Sequence, residues 1–410
     1  MRPLPDRLRE GAAAAVLAAL PGARAVGGCV RDALAGRPIA DVDVGVPLPP
    51  EESSARLRRA GLRVFDTGLS HGTVTAVLDH DPVEVTSLRR DVATDGRHAV
   101  VEWTTDWRED AARRDFTVNA MSVDAAGNLW DWFGGRDDLR AGIVRFVGDP
   151  ATRLREDALR ALRFFRFHAR YGTGAADPAA VAAIRGAVPD LGRLSVERVW
   201  SEIKRLLAAP DPVAAVALMA ESGVLGAVLP EATELDGLRA LVRLGAPAES
   251  LLRLAALLPL GAESAALAHR LRLSNEEAGR LATLVAGEAV PRPGASAGDV
   301  AAWRHRAGFA APGTDAALAL WLAEARDGAD RAALRAEVAA QPPPRFPLAG
   351  RDALALGVRP GPRVGAVLRA VEEWWLAGGC VAGAEACRAR LAEVIAVIGA
   401  ANGAGGRGTG

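Results

Sequence analysis

The chain has 410 residues, half of them hydrophobic and 24% charged, which is too long for one simple core and sets an expectation of two to four domains. No apolar run reaches the length of a membrane span, and three cysteines, Cys29, Cys380 and Cys387, supply neither a disulfide framework nor a CxxC zinc spacing. Fifty basic and fifty acidic side chains balance, but Arg136 to Arg205 holds 14 basic against 9 acidic residues, so the rest of the chain is acidic in compensation. Lys204 is the only lysine, so any phosphate or base recognition must use guanidinium forks.

Residues 1–20 read as an amphipathic helix. Asp6, Glu10 and the interleaved arginines make them a poor signal peptide, and with no export signal a cytoplasmic location is expected. From about Ala25 to Val123 short strands alternate with turns. "DVDVGV" (41–46) predicts a strand, "HGTVTAVLDHDPVEVTSL" a hairpin turning around Asp79 to Pro82, and "AVVEW" and "TVNAMSVD" two further strands. From about Thr152 the apolar spacing becomes helical through "REDALRALRFFRFHARY", "SVERVWSEIKRLLAA" and "PVAAVALMAESGVL". Ala-rich helices continue from about Glu249 to Ala340, "QPPPRFP" at 341–347 marks a linker or sharp turn, another helical unit runs to about Ala400, and the Gly-rich end "ANGAGGRGTG" predicts disorder. The fold expected is an α/β head, a mixed sheet with helices, followed by a long all-α body.

The head carries the chemistry, in "GGCVRDALAGRPIADVDVGV" (27–46). Side chains two apart in a strand share a face, so Asp41 and Asp43 point one way while Val42, Val44 and Val46 point into a core. Two carboxylates that close raise each other's pKa unless a cation lies between them. Mg²⁺ suits such a pair, because it takes a few carboxylates and completes its shell with water and phosphate oxygens. Two such ions can hold an attacking hydroxyl and a departing pyrophosphate in line. A bare DxD is more often a solvated strand edge; the residues before it favour the metal. Gly27 and Gly28 let backbone N–H groups approach a ligand, the following helix start adds more, and Arg31 adds a fork for phosphate. Phosphate cradle, short helix and metal strand form the order that nucleotidyl transfer needs. Neither a Walker loop nor a GxGxxG fingerprint occurs in this stretch.

This stretch resembles the signature of the class II tRNA nucleotidyltransferases, the CCA-adding enzymes, and of their relatives the bacterial poly(A) polymerases. The resemblance implies a polymerase-beta-like nucleotidyltransferase head at 1–148, a helical neck with a base-reading helix at 149–210, a helical body at 211–340, a tRNA-binding tail at 341–400 and a disordered end at 401–410. It implies Mg²⁺ at a two-metal site, CTP and ATP as substrates, and tRNA, held by its acceptor and T arms, as partner. Gly28 and Arg31 are thereby assigned to the triphosphate. "ARRDFTVNAMSVD" (112–124) resembles the family's ribose-contacting motif, which puts Arg114 on the triphosphate or ribose and Asp115 and Asn119 near the sugar.

"REDALRALRFFRF" (155–167) carries Asp157, Arg160, Arg163 and Arg166 every three residues, one slanting ridge on a helix. Taken alone this is a salt-bridge ladder of little consequence. It also has a chemical logic. Cytosine and adenine both present an amino donor beside a ring-nitrogen acceptor, which a carboxylate and a guanidinium match, whereas uracil and guanine reverse the pattern. The segment resembles the family's "EDxxR" base-reading motif, and the resemblance brings Arg163 and Arg166 to the nucleotide pocket as well. "TGLSHGTVTAV" (67–77) is similar to the tRNA-type version of its region rather than the poly(A) polymerase version, and 90–112 has the length of the family's flexible loop. Glu84 is either a third active-site carboxylate or a partner for Arg89. "LSVERVWSEIKRLL" (194–207) resembles the neck helix and "LAGRDALALGVRPGPRVGAVL" (348–368) the tail-domain motif.

The expected activity is addition of C, C and A to the 3′ end of tRNA without a nucleic-acid template. An A-only or CC-only enzyme, a poly(A) polymerase and a non-catalytic RNA-binding descendant stay open, although the intact aspartate pair argues against the last. The His-Asp of "DHDP" lies in a hairpin without the histidines of a phosphohydrolase, and most of the nine tryptophans are expected to pack in cores.

Overall fold

The computed structural model describes residues 6–69, 72–94, 99–286, 290–308 and 314–404. The chain divides into two compact units, 1–230 and 231–410. The expected boundaries at 148, 210 and 340 do not coincide with this division. Among the described residues no helix is long and apolar enough to cross a membrane.

The first unit begins with α1 (Asp6–Arg9) and α2 (Gly11–Ala19). They are not the single helix expected, because Gly11, at the start of α2, adopts a φ of +63°. Leu8, Ala12, Ala13, Val16 and Leu17 are buried in the head core. Next come β1 (Arg24–Val26), α3 (Gly28–Leu34), β2 (Val42–Val46), α4 (Pro50–Arg59), β3 (Arg63–Gly68), β4 (Thr73–Leu78) and β5 (Asp81–Ser87). Then follow β6 (Arg89–Thr94), β7 (Ala99–Trp103), α5 (Trp107–Ala112), β8 (Ser122–Asp124) and β9 (Leu129–Trp130).

Seven strands form one sheet in the order β3-β4-β5-β2-β1-β8-β9, and β6 pairs with β7 apart from it. Only β2 and β5 run parallel in the larger sheet. The β4–β5 hairpin turns on Asp79 and His80, both at positive φ, with Leu78 opposite Asp81; that is the backbone of a two-residue primed turn. The core covers one face: Val42, Val44, Val46, Val74, Ala76, Val83 and Val85 are buried there with residues of α1 to α4. Cross-strand partners share a face, so the opposite face holds Asp43, Glu84, Val26 and Ser122 in one row, with Gly45, Arg24 and Asp124 in the next.

Two expected elements form differently. "TVNAMSVD" is not one strand: Thr117–Asn119 is a single 3₁₀ turn and only Ser122–Asp124 joins the sheet. Side-chain bonds drive the turn, since Thr117 Oγ1 donates to Asp138 at 2.7 Å and Asn119 Nδ2 to Asp115 at 2.9 Å, both in the interior. The long helix expected from Arg155 is two helices, α7 (Pro150–Glu156) and α8 (Leu159–Tyr171), which follow α6 (Gly135–Ala141). Asp157 lies at the break with extended φ of −156°, and its carboxylate accepts the Leu159 N–H at 3.1 Å.

The unit closes with α9 (Pro178–Ala187), α10 (Val196–Leu207), α11 (Val213–Glu221) and α12 (Val224–Val228). α10 and α11 pack on α8. α8 buries Phe164, Phe165 and Phe167, so its arginines emerge between aromatic rings rather than from a solvated stripe. The second unit is helical, from α13 (Leu235–Arg243) to a last helix at Ala384–Ala404. A stretch with neither helix nor strand after Gln341 agrees with the proline linker, and Leu348, Val358, Val367, Val371, Trp375, Cys387 and Leu391 form a separate core behind it. The expected disorder from 401 is corrected up to Ala404, which is helical; 405–410 lie outside the described residues. The tryptophan expectation is also corrected: Trp200, Trp303 and Trp375 are buried, whereas Trp103, Trp130 and Trp374 are exposed.

Candidate active site

Val42, Val44 and Val46 anchor β2 in the core at 0–1% exposure, which leaves Asp43 on the open face. Asp41 is also exposed but precedes the strand, which starts at Val42 rather than at Asp41. The parallel pairing of β2 with β5 brings Glu84 into register beside Asp43. Among the described residues no hydrogen bond or ion pair is made by the carboxylates of Asp41, Asp43 or Glu84. Desolvation by the surrounding cleft wall, then repulsion from Glu84 and from Asp41, pushes the Asp43 carboxyl above the usual range; Arg114 offsets part of this. Among the described residues no three His, Cys, Asp or Glu converge as a closed metal cage. The donor set nonetheless fits Mg²⁺, which binds through one or two carboxylates and takes the rest of its shell from water and substrate phosphates.

The two-glycine turn follows β1. Gly27 has a φ of +70°, and a Cβ there would lie 2.8 Å from Arg114 Nη1. The positive φ calls for glycine at the turn, and the missing Cβ leaves room for that guanidinium. Arg31, on α3, is 9% exposed and largely engaged. Its Nε and Nη2 donate to Asp32 at 3.2 and 3.0 Å, its Nη1 donates to Asn119 Oδ1 at 2.6 Å, and it stacks on Tyr171 at 4.5 Å and Phe167 at 5.0 Å. The bidentate edge expected to meet a phosphate is therefore occupied by Asp32, and single N–H groups remain for a ligand.

Asp115 is the opposite of Asp43. It is 8% exposed and accepts from Arg163 Nε and Nη2 at 2.8 and 2.6 Å, from Asn119 at 2.9 Å and from the Phe116 N–H at 2.9 Å. Burial opposes its ionisation, but the Arg163 charge and the Asn119 and backbone donors outweigh it and hold the carboxyl below the usual range. Asp115 thus orients Arg163 and Asn119, the latter on a 3₁₀ turn rather than in a strand. Asp110, at 3% exposure, holds both Arg113 and Arg114.

Asp157 pairs with a residue that the sequence reading did not single out: Arg198 on α10, whose Nη2 donates to it at 2.6 Å. Arg160 donates to the Arg153 carbonyl at 2.9 Å and pairs with Glu156. Arg166 donates to Glu202 at 2.6 Å, and Arg163 Nη1 lies 3.7 Å from the same carboxylate. Glu202 was missed too. Its signal was available: it falls at helical spacing among Val199, Ile203 and Leu206, and an acid on the buried face of an amphipathic helix needs a cationic partner.

One cleft of about 490 Å³ gathers these parts. Its wall includes Gly28, Arg31, Asp43, Arg114, Asp157, Arg160 and Arg163 among the expected residues, with Arg113 and Arg198 added. Asp41 and Arg166 are not in the wall; Arg166 stands behind it on Glu202. Most of the cleft guanidinium groups have a carboxylate behind them, so the wall offers oriented N–H groups more than net charge.

Residues 23–145 match the poly A polymerase head domain, and residues 176–235 match the probable RNA and SrmB-binding site of polymerase A. The chain is 46% identical over 187 residues to a mitochondrial CCA tRNA nucleotidyltransferase 1 of Danio rerio, covering 45% of this chain and 43% of that one. It is 41% identical over 207 residues to the CCA-adding enzyme of Geobacillus stearothermophilus, covering 50% of each. These alignments span about half the length of the curated relatives. Over nearly its whole length the fold matches the crystal structure of the Bacillus stearothermophilus CCA-adding enzyme in complex with CTP, with a TM-score of 0.77, 30% identity and coverage of 98% of this chain and 100% of that one. The chain belongs to the class II tRNA nucleotidyltransferase family, the CCA-adding enzymes.

Proposed function

We propose that this protein adds C, C and then A to the 3′ end of tRNA from CTP and ATP, releasing pyrophosphate, without a nucleic-acid template. The observation that carries the reading is that one cleft wall holds the Asp43 strand, the Gly27–Gly28 turn and the Asp157 and Arg160 side chains together. A single nucleotide can then present its α-phosphorus, its triphosphate and its base to three separate groups. The polymerase-type head, the neighbouring RNA-binding region and the relatives named for CCA addition support the same reading.

In this reading Asp41 and Asp43 hold Mg²⁺. When bound, Mg²⁺ supplies Lewis-acid activation of the tRNA 3′-hydroxyl and screens the charge of the departing pyrophosphate. The chain's own residues position. Gly28, Arg31 and Arg114 hold the triphosphate, and the second N–H groups of the half-engaged guanidinium groups are the donors. Asp157 accepts from the amino group of cytosine or adenine on lone pairs left free by Arg198 and the Leu159 N–H, and Arg160 donates to the ring nitrogen. Arg163, fixed by Asp115, borders the ribose side, with Arg166 bracing it through Glu202. Catalysis is positioning and electrostatics. The division into head 1–148, neck 149–210, body 211–340 and tail 341–400, the tail and body holding the acceptor and T arms, and a cytoplasmic location belong to the same proposal.

The test is extension of a tRNA transcript ending at the discriminator base, with Mg²⁺ and each NTP alone and together. Two C residues followed by one A and a stop are expected. A addition only on a transcript already ending in CC, CC addition alone, or an unlimited A ladder would each replace the reading with the corresponding specialist or with a poly(A) polymerase.

A further inference from the structure

The helix α5 joins two parts of the head that the reaction must keep in register. At its start, Trp107 packs on Gly45, two residues beyond Asp43 in β2; a Cβ on Gly45 would lie 3.0 Å from the indole. The Arg24 guanidinium stacks on the same indole at 4.3 Å. At its other end α5 leads directly into Arg113 and Arg114, and between them stands Asp110. This carboxylate is buried at 3% exposure and serves three donors. Oδ1 accepts from Arg113 Nε at 2.9 Å and from the Arg89 backbone N–H at 3.3 Å, and Oδ2 accepts from Arg114 Nη2 at 3.2 Å. Arg114 Nη1 meanwhile reaches the Asn119 carbonyl at 3.4 Å across the space left by Gly27.

Two adjacent guanidinium groups repel each other, and each sits on a long side chain with many rotamers. A ligand that needs both must overcome the repulsion and order the chains. A shared buried carboxylate does this before the ligand arrives, which removes that cost from binding. Asp115, the next acid along, does not do it, because its bonds go to Arg163, Asn119 and Phe116.

We infer that Asp110 is a positioning residue that holds Arg113 and Arg114 side by side above the Gly27–Gly28 turn, so that their outer N–H groups meet the triphosphate of the incoming nucleotide. The inference rests on the reading of the cleft as a nucleotide site. It assigns Arg113 to the triphosphate together with Arg114, and it gives Asp110 no contact with substrate.

The experiment is calorimetric titration of the full chain with inorganic tripolyphosphate, paired with KM and kcat for CTP on a tRNA transcript. Asp110→Asn keeps the shape and loses the charge. It should weaken tripolyphosphate binding about tenfold and raise KM for CTP by a similar factor. The kcat value and the choice of C and A over U and G should stay within about twofold. Asp110→Glu, which returns the charge, should recover part of the loss. In a chain already carrying Arg113→Ala and Arg114→Ala, adding Asp110→Asn should cause no further loss, because the carboxylate acts through those two side chains. Undiminished tripolyphosphate binding by Asp110→Asn, or a further loss in the chain lacking both arginines, would overturn the inference while leaving the nucleotide reading intact. A wild-type chain that bound no tripolyphosphate would overturn the nucleotide reading and the inference with it.

Discussion

Asp43 and Asp115 line the same cleft and are perturbed in opposite directions. Asp43 sits on a sheet face next to Glu84, with Asp41 close by and, among the described residues, no hydrogen-bonded cation, and its carboxyl is pushed up. Asp115 sits between α8 and a 3₁₀ turn, accepts four hydrogen bonds and is held down. The sheet region is thus left electrostatically incomplete, in a form that a cation and a triphosphate would complete. The α5–α8–α10 region is complete already, and its arginines are fixed before any ligand enters. An active site of this kind divides its work: one side stores unsatisfied charge for the reacting atoms, and the other is rigid enough to read shape and hydrogen-bond pattern.

The sharpest way to break the comparison is at the incomplete side. Asp41→Ala combined with Asp43→Ala should abolish nucleotide addition, a loss of more than about 10²-fold, since direct metal ligands matter more than their supporting shell. Rates measured across a Mg²⁺ series decide it, and substantial addition by the double variant would remove both residues from the metal site. Next comes the reading side. Asp157→Ala should lose the preference for C and A over U and G by about 10- to 100-fold, the scale of one bidentate base contact, while tripolyphosphate affinity stays near wild type. Misincorporation with single NTPs measures it; intact selectivity would move base reading to another residue.

Stability distinguishes the two aspartates directly. Asp115→Asn should cost about 3 kcal/mol at neutral pH, because it weakens a buried ion pair and leaves Arg163 under-compensated. The sign in pH follows from the depressed carboxyl. A group held below its unfolded value stabilises the fold above the unfolded pKa and loses that contribution as pH falls through the folded one. Wild type should therefore lose stability below about pH 4, and Asp115→Asn should flatten the curve there; denaturant melts at several pH values test this. The smallest effect is expected for Asp43→Asn measured in a chelator. Removing a charge whose desolvation and repulsion from Glu84 and Asp41 outweigh the attraction of Arg114 should raise the melting temperature slightly, at the expense of activity. A fall instead would mean that Asp43 has a stabilising partner.

The residues of the sheet region were legible in the sequence because a strand's side chains alternate strictly. Apolar Val42, Val44 and Val46 fix which way Asp43 points, whatever else the chain does. The hairpin at Asp79 and His80 was legible for the same reason. The reading side was less so. "TVNAMSVD" has the composition of a strand, and tertiary bonds from Thr117 to Asp138 and from Asn119 to Asp115 override it. Asp157, Arg160, Arg163 and Arg166 fit a helical ridge, but the helix breaks at Asp157, which takes Arg198 from a helix 41 residues away as its partner. Arg166, expected in the pocket, turns to Glu202 instead.

What the sequence by itself determined is local and periodic: the two-glycine turn, the carboxylate strand, the helical body, and through them a family whose members match this chain in fold. What only the tertiary structure decided is the partner of each charge. Among so many arginines, the pattern along the chain cannot say which carboxylate each guanidinium meets, because ion pairing between elements depends on register and packing rather than on sequence spacing. The fold assigns Asp115 to Arg163, Glu202 to Arg166, and Arg198 to Asp157. It thereby separates the groups held in place from Asp43, left open on the face of the sheet.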